Sequence, residues 1–219
     1  MQYVTKMDIM MPGDKGLNSR ERAQKRAQDT GNHPDTKTED FMTWEFSFLD
    51  ALQKLHTPLL DDFFTTVTWF GRDFWIMLGI FLLFFRRTRK CGICMLAGLI
   101  VGALITNVTI KPLVARERPC WINDTVQLLV STPRDYSFPS GHSQASFVSA
   151  MAIYQNHKKW GIAAFIFAAL ISFSRLYLYV HFPTDVAAGI LIGLIVGYFT
   201  SRLVKSQIQK HPAAQKYLE

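Results

Sequence analysis

Three short segments carry residue types suited to phosphate-ester chemistry: Lys111, six residues, then Arg118-Pro119; Pro139-Ser140-Gly141-His142; and Ser174-Arg175 with His181 and Asp185 beyond it. Three fixed cations can hold phosphate oxygens, one histidine can attack phosphorus, and the other can protonate the leaving oxygen. That division of labour requires no metal and no other cofactor. His181 and Asp185 are four residues apart with Pro183 between them, which predicts a loop entering a helix at Pro183 and Asp185 in its first turn. There the carboxylate can orient one imidazole nitrogen of His181 and leave the other as a lone pair facing phosphorus, as a nucleophile needs.

Pro139–His142 precedes an apolar block, so the backbone N–H groups of Ser140, Gly141 and His142 are expected at a helix N-terminus, where anions are favoured. His142 is then the general acid for the leaving oxygen and afterwards the base that activates water. Lys111, Arg118 and Arg175 supply the charge, Arg as a planar fork and Lys as a point. Arg134 is read as an interfacial residue snorkelling to headgroups, and Arg116 and Glu117 are not assigned to the site. A PSGH string alone is an ordinary turn before a helix. The weight lies in three motifs in this order.

The elements that must position these residues are apolar. The chain has 219 residues, 49% of them hydrophobic, and these come in blocks. Residues 91–110 contain no Asp, Glu, Lys or Arg, and twenty helical residues rise about 30 Å, the thickness of a bilayer's hydrocarbon core. Similar blocks lie at roughly 141–156, 161–177 and 186–202, and an aromatic one at 70–85. None shows a polar face at helical period, which argues against a soluble helical protein. The expected fold is all-α: a polytopic transmembrane bundle of five spans, with an amphipathic interfacial helix before the first.

Charge sets the orientation. The formal +7 comes entirely from residues 41–219, because residues 1–40 hold seven basic and seven acidic residues. Basic clusters at Arg86–Lys90, Lys158–Lys159 and Arg202–Lys216 fall on one face when turns are counted, and the positive-inside rule makes that face cytoplasmic. All three motifs then lie together on the extracytoplasmic face of a plasma-membrane protein. The basic residues sit at span ends, with no aromatic-interleaved stripe, so nucleic acid is not the expected partner. The bilayer and a lipid phosphate are.

Three regions are expected: a polar, disordered tail over residues 1–41, the membrane domain over 42–205, and a basic cytoplasmic tail over 206–219. Residues 1–40 show no apolar core of a secretory signal, so the first membrane block would serve for insertion. Between Phe46 and Phe70, Leu49, Leu52, Leu55, Leu59, Phe63 and Val67 recur every three or four residues. That pattern predicts one or two interfacial helices broken near Pro58, or a helix packed on the bundle core. Cys91 and Cys94 form a C-x-x-C inside an apolar helix and are read as packing residues.

The three motifs resemble, element for element, those of the phosphatidic acid phosphatase type 2 superfamily, over roughly residues 42–205. The resemblance implies a helical bundle in which Lys111, Arg118, Ser140, Gly141 and Arg175 bind phosphate. It makes His142 the acid/base, His181 the nucleophile and Asp185 its orienter. It looks most like small bacterial membrane phosphatases acting on undecaprenyl diphosphate, phosphatidylglycerol phosphate or phosphatidate. Six spans are usual there, against five counted here. The alternatives are a lipid phosphotransferase using the same phosphohistidine and a non-catalytic lipid-phosphate binder or transporter. The second has no use for His142, His181 and Asp185.

Overall fold

The computed structural model describes residues 36–211. The chain divides into Met1–Thr43 and Trp44–Glu219. Of the first unit, the described residues are the opening turns of a helix, and the architecture below is that of the second. The expected N-terminal tail lies outside the described residues up to residue 35; from Thr36 the chain is helical. The end of the expected C-terminal tail, residues 212–219, also lies outside them.

Among the described residues all regular structure is helical: α1 (Thr36–Gln53), α2 (Pro58–Trp69), α3 (Arg72–Leu83), α4 (Arg86–Ala103), a π-helical continuation (Leu104–Ile110), α5 (Lys111–Val114), α6 (Pro119–Ile122), α7 (Gly141–Asn156), α8 (Lys158–Tyr177) and α9 (Pro183–Lys210). Arg86–Ile122, Lys158–Tyr177 and Pro183–Lys210 are long and apolar enough to cross a membrane, and α2 with α3, bent by 49°, can form a fourth span. The block expected at 141–156 is α7. Its 16 residues rise only about 24 Å, less than a full hydrocarbon core.

The bundle is built around α7, which buries Ala145, Val148, Ala152 and Ile153 together with Ser143, Ser146 and Ser149. Its neighbours approach closely because they present glycine. A Cβ on Gly189, Gly193 or Gly197 of α9 would lie 2.5 Å from Ser140 O, 2.7 Å from Gln144 O and 2.9 Å from Met151 Cβ. On α4, a Cβ at Gly98 would lie 2.7 Å from Val148 Cγ1. Small residues four apart let membrane helices meet backbone to backbone. Trp75 Nε1 of α3 adds a buried hydrogen bond to Ser146 Oγ at 2.9 Å.

Two local departures aim the motif residues. Pro112 has no N–H to continue the α-helical ladder, and ahead of it the helix widens to π over Leu104–Ile110, with Thr106 Oγ1 bonding Gly102 O and Thr109 Oγ1 bonding Leu104 O. Lys111 opens the short helix beyond. At the end of α8, Tyr179 adopts φ 59°, a left-handed conformation that costs a branchless aromatic side chain about 1 kcal/mol. Its hydroxyl, bonded to Asp50 Oδ1 at 2.7 Å, helps hold the turn that delivers His181.

The stripe expected over Phe46–Phe70 divides in two. The chain breaks before Pro58, and Leu49 and Leu52 of α1 pack on Leu176, Phe182 and Val186. Leu55, Leu59 and Phe63 are exposed, and the buried face of α2 runs instead through Phe64, Val67 and Thr68.

Candidate active site

The start of α5, the C-terminal end of α8 and the N-terminal end of α7 meet around a cavity of about 340 Å³ lined by Lys111, Arg118, Gly141, His142, Arg175 and His181, with Asp135 at its wall. The basic clusters Arg86–Lys90, Lys158–Lys159 and Lys205–Lys210 lie at the opposite ends of α4, α8 and α9. Six of the eight sequence-predicted residues line the cavity. Ser140 and Asp185 are fully buried behind it.

Asp185 sits in the first turn of α9 after Pro183, where its Oδ2 accepts the backbone N–H of Phe182 at 2.8 Å. Its main-chain carbonyl accepts the N–H of Ser140 at 3.0 Å, which fastens the start of α7 to the start of α9. Ser140 is the N-cap of α7, its hydroxyl accepting from Ser143 N at 3.4 Å and Ser143 Oγ at 3.0 Å. His181 Nδ1 faces Asp185 Oδ2 at 3.5 Å and Ser137 Oγ at 3.4 Å, and Ser137 donates a short hydrogen bond to Asp185 Oδ2. With Nδ1 protonated toward these acceptors, Nε2 is the lone pair. Arg118 Nη1 donates to that nitrogen at 3.1 Å.

The cations are differently engaged. Arg118 donates from Nε to Asp135 O at 2.7 Å, from Nη1 to Val180 O at 2.7 Å and from Nη2 to Asp135 Oδ1 at 2.7 Å. Lys111 pairs with Asp135 Oδ2. Arg175 bonds Thr68 Oγ1 through Nη1, while its buried Nε has no partner among the described residues. Burial, reinforced by Arg118, Arg175 and Lys111, holds the His181 imidazole well below its ordinary pKa, so it is neutral. Burial alone would raise Asp135, but the hydrogen bond and charge of Lys111 with the charge of Arg118 outweigh it and hold the carboxyl at about 2.

His142 is placed by a missing side chain. Its imidazole lies where a Cβ on Gly71 would be, 2.2 Å from Cδ2 and 2.5 Å from Nε2, in the turn between α2 and α3. Four residues outside the sequence-predicted set join the cluster: Asp135, Ser137, Arg116 and Glu45. Arg116, unassigned from sequence, bonds Asp185 Oδ1 and Thr184 Oγ1 at 2.7 Å and pairs with the fully buried Glu45. The only sequence signals were proximity, with Arg116 two residues before Arg118 and Ser137 three before Ser140. Arg134 is exposed.

A helical bundle with membrane-length apolar helices, gathering three cations and two histidines in one cavity, defines a membrane phosphatase. The sequence profile of the PAP2 superfamily matches residues 91–209, and the chain belongs to that family. It is 35% identical over 136 residues to an undecaprenyl-diphosphatase of Sulfolobus acidocaldarius, covering 61% of this chain and 66% of the relative. To the undecaprenyl-diphosphatase BcrC of Bacillus subtilis it is 31% identical over 153 residues, covering 67% and 76%. The crystal structure of a transmembrane PAP2-type phosphatidylglycerolphosphate phosphatase from Bacillus subtilis superposes with a TM-score of 0.62 at 28% identity, covering 83% of this chain and 90% of that one.

Proposed function

We propose that this protein hydrolyses the terminal phosphate of a lipid phosphate monoester or diphosphate at the extracytoplasmic face of the plasma membrane, through a phosphohistidine on His181. The observation that carries the reading is the setting of His181: Nε2 at the cavity wall beside Arg118, Nδ1 turned to Asp185 and Ser137. Nε2 attacks phosphorus as the P–O bond to the lipid breaks, and His142 gives its proton to the departing oxygen. His142 then takes a proton from water as the water oxygen bonds phosphorus and the P–N bond breaks, releasing inorganic phosphate. Lys111, Arg118, Arg175 and the N–H groups at the start of α7 hold the oxygens that carry charge in both steps.

A second cavity of about 510 Å³ shares Trp69, Pro133, His142 and Arg175 with the first and is bordered by Leu129 and Val130. Trp69, Leu129 and Val130 give this groove an apolar stretch beside the hydroxyls of Thr65, Thr68 and Ser131, and such a stretch continuous with a cationic cavity suits a lipid with a phosphate head. In the membrane, α2 with α3, α4, α7, α8 and α9 serve as five spans, α7 being the short one. α1 from Phe46 onward lies at the outer interface ahead of the first span, and the basic segment after residue 205 is cytoplasmic.

Purified protein in detergent containing EDTA is expected to release phosphate from undecaprenyl diphosphate, phosphatidate or phosphatidylglycerol phosphate, and His181→Ala to remove both turnover and phosphoenzyme. Wild-type rates in His181→Ala overturn the assignment of the nucleophile. Loss of wild-type activity with EDTA overturns the metal-free mechanism.

A further inference from the structure

The carboxylate of Asp135 stands where an anionic substrate has to be received. One oxygen accepts from Arg118 Nη2 and the other pairs with Lys111, so it bridges two of the three motif cations as two phosphate oxygens would. We propose that Asp135 is a specificity-determining residue: its side chain holds the seat between Lys111 and Arg118, and an incoming anion must displace it. The proposal rests on the reading of this cavity as a phosphate site.

The local structure suits such an exchange. The main chain of Asp135 and Tyr136 is fastened independently of the carboxylate, by Arg118 Nε to Asp135 O and Nη2 to Tyr136 O, and Ser137 N bonds Arg116 O at 2.8 Å. The loop therefore keeps its place when the carboxylate leaves. That side chain is 58% exposed, so it has water to swing into, whereas the Lys111 and Arg118 side chains are only 6% and 3% exposed. Arg118 has already committed Nε and one Nη1 bond to carbonyls, so its Nη2 has to be shared between Asp135 and any ligand. Asp135 is ionised at every working pH, and the competition is always present.

Charge decides which ligands win. Replacing one carboxylate by a singly charged phosphodiester leaves the charge balance with Lys111, Arg118 and Arg175 unchanged, whereas a terminal phosphate brings a second negative charge to the same three cations. A bilayer surface presents phosphodiester headgroups in large excess over terminal phosphates. Arg72 and Asp73, paired and exposed, offset each other at the rim, so without Asp135 the three buried cations would draw these headgroups in. The carboxylate takes the same free energy from every entrant, which leaves the singly charged diester too weakly bound to occupy the cavity while the doubly charged phosphate still binds.

The test compares wild type with Asp135→Asn, Asp135→Ser and Asp135→Glu in uncharged detergent at pH 8. Binding of inorganic phosphate and of diethyl phosphate is followed by calorimetry, and phosphatidylglycerol is added as inhibitor of lipid phosphate hydrolysis. Both neutral variants should bind inorganic phosphate about tenfold tighter or more, the size of one charge-assisted hydrogen bond. They should also acquire measurable diethyl phosphate binding and inhibition by phosphatidylglycerol, while Asp135→Glu behaves as wild type. Weaker phosphate binding in the neutral variants would make Asp135 a positioning residue for Lys111 and Arg118 and overturn the proposal. Unchanged binding overturns it equally. Calorimetry does not depend on turnover, so failure of the His181 mechanism leaves this result readable.

Discussion

Arg116 donates to Asp185 Oδ1 across 2.7 Å while pairing on its other side with Glu45, so the carboxylate that faces His181 is itself held from behind by a guanidinium. The ring of Phe182 lies 4.1 Å from the Arg116 Cζ, covering the ion group. Two carboxylates, both fully buried, share this one cation. Removing it leaves two uncompensated charges, and Arg116→Ala should lose about 3 kcal/mol of stability in thermal or denaturant unfolding. Arg116→Lys should stay folded but form phosphoenzyme about tenfold more slowly, because a point charge cannot span Asp185 and Glu45 as a fork does. A wild-type rate in Arg116→Lys would mean that Asp185 is held well enough by Ser137 and Phe182 alone.

The pH response of His181 has a definite sign. Burial and the neighbouring cations lower its pKa below 6.5, so the neutral imidazole that the proposed attack requires persists below pH 6.5 and is lost only as pH falls through the lowered value. Imidazole resonances titrated by NMR, with His181 assigned by its absence in His181→Gln, should show that midpoint below 6.5. Replacing Arg118 by Gln should move it back upward. Stability follows the same displacement: the unfolded chain takes up a proton near 6.5 that the folded one refuses, so stability falls as pH drops from 6.5 toward the folded value. A midpoint at or above 6.5 contradicts the electrostatics described.

Gly71→Ala tests the seat of His142. The added methyl carbon would fall 2.2 Å from His142 Cδ2, so the imidazole has to move. Hydrolysis of an alkyl or lipid phosphate, whose leaving oxygen needs a proton, should drop about tenfold to a hundredfold. An aryl phosphate with an acidic leaving group should still phosphorylate His181. Equal loss on both substrates would point to general disruption of the turn between α2 and α3.

Sidedness is open to labelling. With Cys120 changed to Ser, a cysteine at Asp124 should react with an impermeant maleimide in intact cells, and one at Lys159 only after permeabilisation. Both positions are exposed. The reverse pattern would put the cavity in the cytoplasm and leave its chemistry unchanged.

Short-range features were legible in the sequence. Pro183 as the first residue of α9, Asp185 in its first turn, the break at Pro58 and the helix beginning at Gly141 all follow from proline's fixed φ and from capping, which act over a few residues. The apolar blocks marked the membrane helices because burial in lipid needs length and composition only, although three or four segments reach spanning length where five were counted. Asp135, Ser137, Arg116 and Glu45 were not legible. Their partners lie 17 to 139 residues away along the chain, and no periodicity or spacing encodes a contact made when a loop folds over a helix end. The exposure of Leu55, Leu59 and Phe63 was hidden for a similar reason: apolar spacing does not say whether a face meets protein or not, and in α2 the face that packs runs through Phe64 and Val67.

The glycine seam between α7 and α9 has a mechanical consequence. His142 and Asp185 belong to different helices, yet those helices touch through main-chain atoms at Gly189 and Gly193 and are pinned by the bond from Ser140 N to Asp185 O. Side-chain packing can creep when a bilayer thins, stiffens or changes its lipids, but two backbones in contact have no compliant layer between them. The pair should tilt as a single strut, so that His142 and Asp185 keep their separation while the surrounding membrane deforms.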